Sequence, residues 1–240
     1  MLKETFYFKN KRADSMGIQL QAPVKISSAV PNVTALTIPG KNGALHYYDG
    51  AFGNREIRAD CFILSRSMNS DYTQINSWLL GENGYFRFSV SEDDTHYMLA
   101  RAVNGVEYNP RAGILNPFTL NFDAKPQRFL AIGERELDVT DGMEIYNPTG
   151  FAAFPIVKVT GENFALTFTN GAKETTLAAT GYDGTITFDS ETMMAYSGNV
   201  FLNNYIEAGS CPILYPGKTE IVETEGVVTE IKIIPRWWEI

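Results

Sequence analysis

Histidine is nearly missing from this sequence: His46 and His96 are the only two in 240 residues. A three-histidine zinc centre therefore cannot be built, and neither residue sits in an HExxH or similar ligand spacing. Both fall in strand-like segments and are expected as exposed strand residues. Cysteine is equally scarce. Cys61 and Cys211 lie far apart with no CxxC pair, which reads as two free thiols of a cytosol-made protein, with a single disulfide as the other reading. GxSxG elbows, Walker loops and GxGxxG turns do not occur. No apolar run is long enough to span a bilayer, and Met1–Phe8 has no apolar stretch of the secretory type; without one, the sequon Asn32-Val33-Thr34 is taken as chance. Positive charge is also short: 20 Lys/Arg stand against 28 Asp/Glu, a net of −8. That balance argues against a phosphate-clamping surface, and no basic amphipathic stretch argues for a membrane surface.

What is present is β structure. Aromatics make up 12% of the chain and glycines number 20, a composition suited to strands and tight turns. Phe6–Phe8, Ala35–Ile38, Ile57–Leu64, Tyr85–Val90 and Phe118–Phe122 read as strands. Pro39-Gly40, Asn42-Gly43, Asp49-Gly50 and Asn116-Pro117 read as the turns between them, with Asn42-Gly43 and Asp49-Gly50 suited to hairpins. One segment differs. Across residues 70–81, Tyr72, Ile75 and Leu79 recur at helical spacing, Ser70 or Asp71 is placed to cap the start, and Gly81 to stop it. The reading is a single helix of about ten residues with a core-facing stripe and Trp78 as a structural anchor.

After Lys125-Pro126 the character changes. A weakly periodic acidic stretch, 131–146, ends at the break Asn147-Pro148-Thr149-Gly150. Short runs follow: Ile156–Val159, Phe164–Phe168, Thr185–Phe188, Val200–Leu202 and Thr229–Ile234. Gly161-Glu162-Asn163, Asn170-Gly171, Asp183-Gly184 and Pro216-Gly217 separate them, a rhythm that suggests a sandwich or barrel. Division near residue 130 gives two domains, 1–130 and 131–240. It also separates charge: the first part holds 14 Lys/Arg and 12 Asp/Glu, a net of +2, and the second 6 and 16, a net of −10.

Material for catalysis is thin. The carboxylates Asp93 with Asp94, Asp138 with Asp141, and Asp183 with Asp189 are the candidates for general acid–base work of the glycosidase type; Asp93-Asp94 also reads as a polar hairpin tip and Asp183-Gly184 as a turn, and Asp138–Gly142 lacks a calcium-loop spacing. Tyr182, Tyr196 and Tyr205 are the candidates for a sugar-stacking face. The ending Pro235-Arg236-Trp237-Trp238 places two indoles and a guanidinium where chains usually fray. Its reading is docking on the chain's own body, with a subunit interface as the alternative.

Taken in order, the punctuating segments resemble the distal tail proteins of long-tailed, non-contractile bacteriophages. The segments are Ile38-Pro39-Gly40-Lys41-Asn42-Gly43, Tyr48-Asp49-Gly50, Glu56–Cys61, the helix with Trp78 and Leu79, the Tyr97 strand and Phe122–Pro126. In the second half they are Asn147–Gly150, the Pro155 strand ending at Gly161, Pro212–Gly217 and Pro235-Arg236-Trp237. Lys41-Asn42 stands where the family more often carries Arg-Asp, and Thr219 where an Asn is expected. The resemblance implies a mainly β, non-enzymatic structural protein without a cofactor. Its N-terminal β-barrel or sandwich domain carries one helix and builds a hexameric ring around the DNA channel, and its C-terminal galectin-like β-sandwich projects outward. Implied neighbours are the tail tube protein, a tail-associated lysin or fibre hub, and a receptor-binding protein on the C-terminal domain; DNA passes without specific binding, and no membrane is involved. The implied location is the virion tail tip, after synthesis in the host bacterial cytoplasm. Ile38, Pro39, Gly40, Arg236, Trp237 and Trp238 are the candidate subunit or domain interface residues. The channel-lining domain is near neutral, so the acidity is expected on the outer domain. The alternative reading is a carbohydrate-binding protein that grips host-surface glycans through its C-terminal sandwich.

Overall fold

The computed structural model describes residues 4–64, 68–107 and 115–240. It is mainly β with one α-helix among the described residues, and it divides into two compact units, one up to Arg128 and one from Phe129 to Glu239.

The strands of the first unit are β1 (Phe6–Phe8), β2 (Lys11–Arg12), β3 (Ile18–Leu20), β4 (Lys25–Ile26), β5 (Pro31–Thr37), β6 (Ala44–Phe52), β7 (Arg55–Leu64), β8 (Phe86–Val90), β9 (His96–Ala102) and β10 (Leu115–Leu130). Neighbours run in the order β2-β1-β8-β9-β10-β7-β3, with β4 also on β7. Alternate residues of these strands turn inward: Phe6, Phe8, Ile57, Ala59, Cys61, Phe88, Leu120 and Phe122 are fully buried together, as the period-2 pattern requires. Helix α1 (Met68–Leu80) closes this core. Tyr72, Ile75, Trp78 and Leu79 are all buried in it, and the Trp78 indole N–H donates to the Phe8 carbonyl at 3.1 Å.

The helix is longer than its sequence signals suggest. Ser70 and Asp71 lie inside its first turn rather than before it, so neither is the cap; the preceding residues lie outside those described. Asp71 still favours the positive end of the helix dipole. Gly81 does end the helix, and its own N–H closes on the Ser77 carbonyl at 3.0 Å.

The second unit contains β11 (Leu137–Val139), β12 (Met143–Asn147), β13 (Ile156–Asn170), β14 (Lys173–Ala178), β15 (Asp183–Asp189), β16 (Met194–Ser197), β17 (Val200–Phe201), β18 (Gly217–Ile234) and β19 (Trp238–Glu239). Two long strands organise it. The first half of β13 pairs with β15 and with the end of β18, while its second half pairs with β14 and with the start of β18. The same two strands therefore run through both layers of a sandwich. Val157, Val159, Ile186, Phe188, Ile231 and Ile233 from one layer meet Phe164, Leu166, Phe168, Leu177 and Ile221 from the other.

This corrects the reading of Gly161-Glu162-Asn163 as a turn between two strands. The segment is a bulge within β13, where the β18 register slips between Thr160 and Leu166. Asn163 (φ 46°) and Gly226 (φ 81°) take left-handed backbone there, which lets the paired strands bend together. Asp183-Gly184 likewise opens β15 instead of preceding it. The two thiols are free, and burial with the nearby Asp60 carboxylate pushes the Cys61 thiol up to about 12, which makes it inert.

A methyl group on Gly226 would overlap the Asn163 carbonyl oxygen, whereas Gly171 (φ +59°) faces open space. Gly226→Ala is expected to cost about 3 kcal/mol and Gly171→Ala about 1 kcal/mol. Denaturant unfolding of the full chain checks this; equal costs at the two positions would mean that the β13–β18 crossing is not tight.

Candidate functional site

Strands β5 and β6 form a sheet of their own, apart from the rest of the first unit. Val33 pairs Tyr48, Ala35 pairs His46 and Leu36 pairs Leu45. The connecting loop carries Ile38, Pro39 and Gly40, with the Lys41 N–H closing on the Ile38 carbonyl at 3.1 Å and left-handed Gly40 and Gly43 making the reversal. Asp49-Gly50 is not the hairpin turn expected from its sequence. It sits inside β6, where residues 49–51 face the single residue Asn32. Asp49 Oδ1 accepts from the Ala51 N–H at 2.8 Å, and Gly50 at φ 84° absorbs the extra length. Turn and bulge make the same demand for a left-handed residue, so the dipeptide alone does not separate them.

Every residue from Val30 to Ala51 is exposed. Leu45, Tyr47 and Val33 show 58%, 61% and 53% of their surface, and Leu36 and Tyr48 show nearly half. Lys41 and Asp49 are the only formal charges in this stretch. Many aromatic and aliphatic side chains with few charges are the composition of an interface centre.

The root of the hairpin is held firmly. The Gly53 N–H donates to the Val30 carbonyl at 2.8 Å. Asn54 Nδ2 donates to the Tyr85 hydroxyl at 2.8 Å and to Asp123 Oδ1 at 2.9 Å. Asp123 Oδ2 accepts in turn from the Tyr85 hydroxyl and from Arg101. Desolvation works against this carboxylate, but the bonds from Tyr85, Arg101 and Asn54 outweigh it and hold its pKa down.

The C-terminal candidates behave differently. Trp237 is 5% exposed and belongs to the core of the second unit. Trp238 stacks on Phe151 at 4.4 Å and donates to the Ala152 carbonyl at 2.9 Å. Arg236 donates to the Phe154 carbonyl and pairs with Asp189 Oδ1, both at 2.7 Å. These contacts all lie within the second unit. They leave the fraying end tied down, the physical need that the sequence flagged.

The carboxylates do not assemble as a catalytic pair. Asp183 and Asp189 stand at opposite ends of β15, about 20 Å apart at strand rise. Asp138 lies on β11 opposite Lys232, and Asp141 Oδ1 accepts the Glu223 N–H at 2.8 Å. Asp94 is exposed. Tyr182 and Tyr205 lie 5.2 Å apart, both packed against the core, and Tyr196 is half-buried on β16. His46 is exposed on β6, but His96, expected on the surface, is half-buried, its Nδ1 2.7 Å from Thr95 Oγ1 and 3.1 Å from Asp93. Among the described residues no group of three or more His, Cys, Asp or Glu is placed to hold a metal ion.

Asp93 is the most perturbed of these carboxylates. Desolvation opposes its charge, yet hydrogen bonds from Thr95, Arg128 and His96 prevail and hold it well below the usual range. A group depressed in the folded state stabilises above its unfolded pKa of about 3.9 and loses that contribution as pH falls. Asp93→Asn should therefore lower stability at pH 7 by about 1 kcal/mol and lose less on acidification from pH 5 to pH 2 than the parent, as thermal melts across that range would show. Parallel curves would count against the Asp93 network.

No family model matches the sequence, and no curated protein matches it. Among solved structures, the crystal structure of the Dit protein of phage SPP1 superposes with a TM-score of 0.69 at 14% identity, covering 96% of this chain and 97% of that one. That protein is described as a paradigm of the hub adsorption apparatus in phages that infect Gram-positive bacteria. Over nearly its whole length, then, the chain carries the fold of SPP1 Dit, which is the fold that the resemblance to phage distal tail proteins implied.

Proposed function

We propose that this chain is a structural protein of a phage tail tip that assembles into a hexameric ring, joins the tail tube to the host-adhesion device and encloses the channel through which DNA passes. The observation that carries this reading is the hairpin of β5 and β6, exposed from Val30 to Ala51, nearly uncharged and rich in large apolar side chains. An isolated two-stranded ribbon is marginal in water, and an apolar ribbon of this size gains stability when a neighbour covers it. A surface that fits a different patch on the next copy makes a heterologous contact, and such contacts close into rings when the rotation allows. Ile38, Pro39 and Gly40 at the hairpin tip are the interface residues on this reading.

The same reading makes the second unit a galectin-like sandwich to which receptor-binding proteins dock, and places the tail tube protein and a tail lysin or fibre hub as axial neighbours of the ring. DNA slides through without specific binding, and the protein is non-enzymatic, made in the host cytoplasm and carried in the virion. The neighbour of the same fold, SPP1 Dit, is described as a hub adsorption protein of phages, which supports this over the glycan-binding alternative.

The test is a paired substitution, Leu36→Ser with Leu45→Ser. Both side chains are exposed, so the unfolding free energy should hold within about 0.5 kcal/mol of the parent's, while light scattering and negative-stain images should lose the rings expected of the parent. A parent chain that stays monomeric at every concentration, or rings that survive the double substitution, would refute the assignment of the hairpin.

A further inference from the structure

Four Asn-Gly pairs occur in the chain: Asn42-Gly43, Asn83-Gly84, Asn104-Gly105 and Asn170-Gly171. In sequence they are equivalent, and the fold makes them different. Asn104 Nδ2 donates to the Thr119 carbonyl at 2.8 Å, and its Oδ1 accepts from the Asn121 N–H at 2.7 Å. Asn170 Nδ2 donates to the Lys218 carbonyl at 2.7 Å and to the Pro216 carbonyl at 3.2 Å. Both are partly buried. Asn42, at the hairpin tip, and Asn83, between α1 and β8, are exposed and hold no side-chain hydrogen bond to any described residue. The space around the pairs differs as well. A side chain at Gly43 would meet nothing within 4 Å, whereas one at Gly105 would overlap Asn76 Oδ1.

An asparagine side chain and the next backbone nitrogen are held near enough to react within one chain. Glycine in the second position has no Cβ to hinder the approach. The glycine nitrogen attacks the side-chain Cγ, and a C–N bond forms. The bond from Cγ to Nδ2 breaks, and ammonia leaves with the proton given up by the backbone N–H. Water then adds to one of the two carbonyls of the resulting succinimide and opens it to an aspartyl or an isoaspartyl residue. The side chain must swing freely for the ring to close, so hydrogen bonds that anchor it oppose the first step.

We propose that Asn42 and Asn83 are sites of spontaneous deamidation, with water as the co-reactant, and that the fold protects Asn104 and Asn170. Conversion at Asn42 adds a carboxylate to a hairpin whose formal charges are Lys41 and Asp49, which moves it from balance to net negative. The isoaspartyl product also lengthens the backbone by one carbon inside the reversal between β5 and β6. The assignment stands on the free chain and does not depend on the ring reading.

The test holds the full chain in dilute solution at mildly alkaline pH and follows all four pairs by peptide mass spectrometry. Asn42 and Asn83 are expected to convert at least about tenfold faster than Asn104 and Asn170, since two anchoring hydrogen bonds of ordinary strength are worth about that factor. In guanidinium chloride, where the chain is unfolded, the four pairs should convert at similar rates. Gly43→Ala, which keeps Asn42 and restores the Cβ, should slow conversion at Asn42 and leave Asn83 unchanged. Asn42 or Asn83 converting no faster than Asn104 and Asn170 in the folded chain would overturn the assignment, as would an unfolded chain that shows the same order of rates.

Discussion

Phe122 is the contact on which the order of the first unit rests. Its ring lies 5.7, 5.2 and 5.0 Å from those of Phe6, Phe8 and Phe88, so it ties β10 to β1 and β8. Trp78 reaches the same cluster from the helix, 5.8 Å from Phe8. Aromatic pairs in these tilted geometries each add about 1 kcal/mol beyond the burial itself. Strand β10 also pairs β7 continuously from Leu115 to Ala124, and β7 is the strand that receives the hairpin. An exposed ribbon is useful for assembly only when its root does not swing. Here the root passes through Asn54 and Arg55 into a strand locked to the aromatic core.

The second unit reaches a comparable order by other means. It has no α-helix among the described residues and relies on two strands long enough to serve both layers of a sandwich. A strand that serves two layers must bend, and a regular ladder resists bending. The bulge at Gly161, Asn163 and Gly226 supplies the bend. Gly161 is required there because a side chain would run into the Val227 carbonyl oxygen on the facing strand. Asn147 has a similar service at the end of β12. It is 1% exposed, donates to the carbonyls of Phe151 and Leu214, and accepts from Thr149, so a chain reversal is satisfied inside the unit.

The helix was legible because Tyr72, Ile75 and Leu79 repeat at a spacing that only a helix turns to one face, and the core strands were legible because Ile57, Ala59 and Cys61 alternate with polar neighbours. Local signals failed where two structures make the same demand of the backbone. Asp49-Gly50 and Gly161–Asn163 advertise left-handed residues, and nothing local says whether the chain reverses or only bulges. The exposure of the hairpin was illegible for another reason: Leu36, Leu45 and Tyr47 have the pattern of a half-buried strand, and among the described residues no element covers them.

Charge and apolar surface are divided between the two units. The hairpin carries one Lys and one Asp, so copies brought together through it meet little repulsion and gain from apolar burial. The second unit, from 129 to 239, carries the net −10 that the first does not. In the proposed ring, second units of neighbouring copies repel one another at short range, because screening confines the effect to about 8 Å at physiological salt. That range is long enough to disfavour a direct contact between second units. Specificity of this kind needs both a surface that attracts and one that refuses. The same distribution keeps the acidity off the hairpin, so the net charge of the chain describes its second unit and not the surface through which it is proposed to assemble.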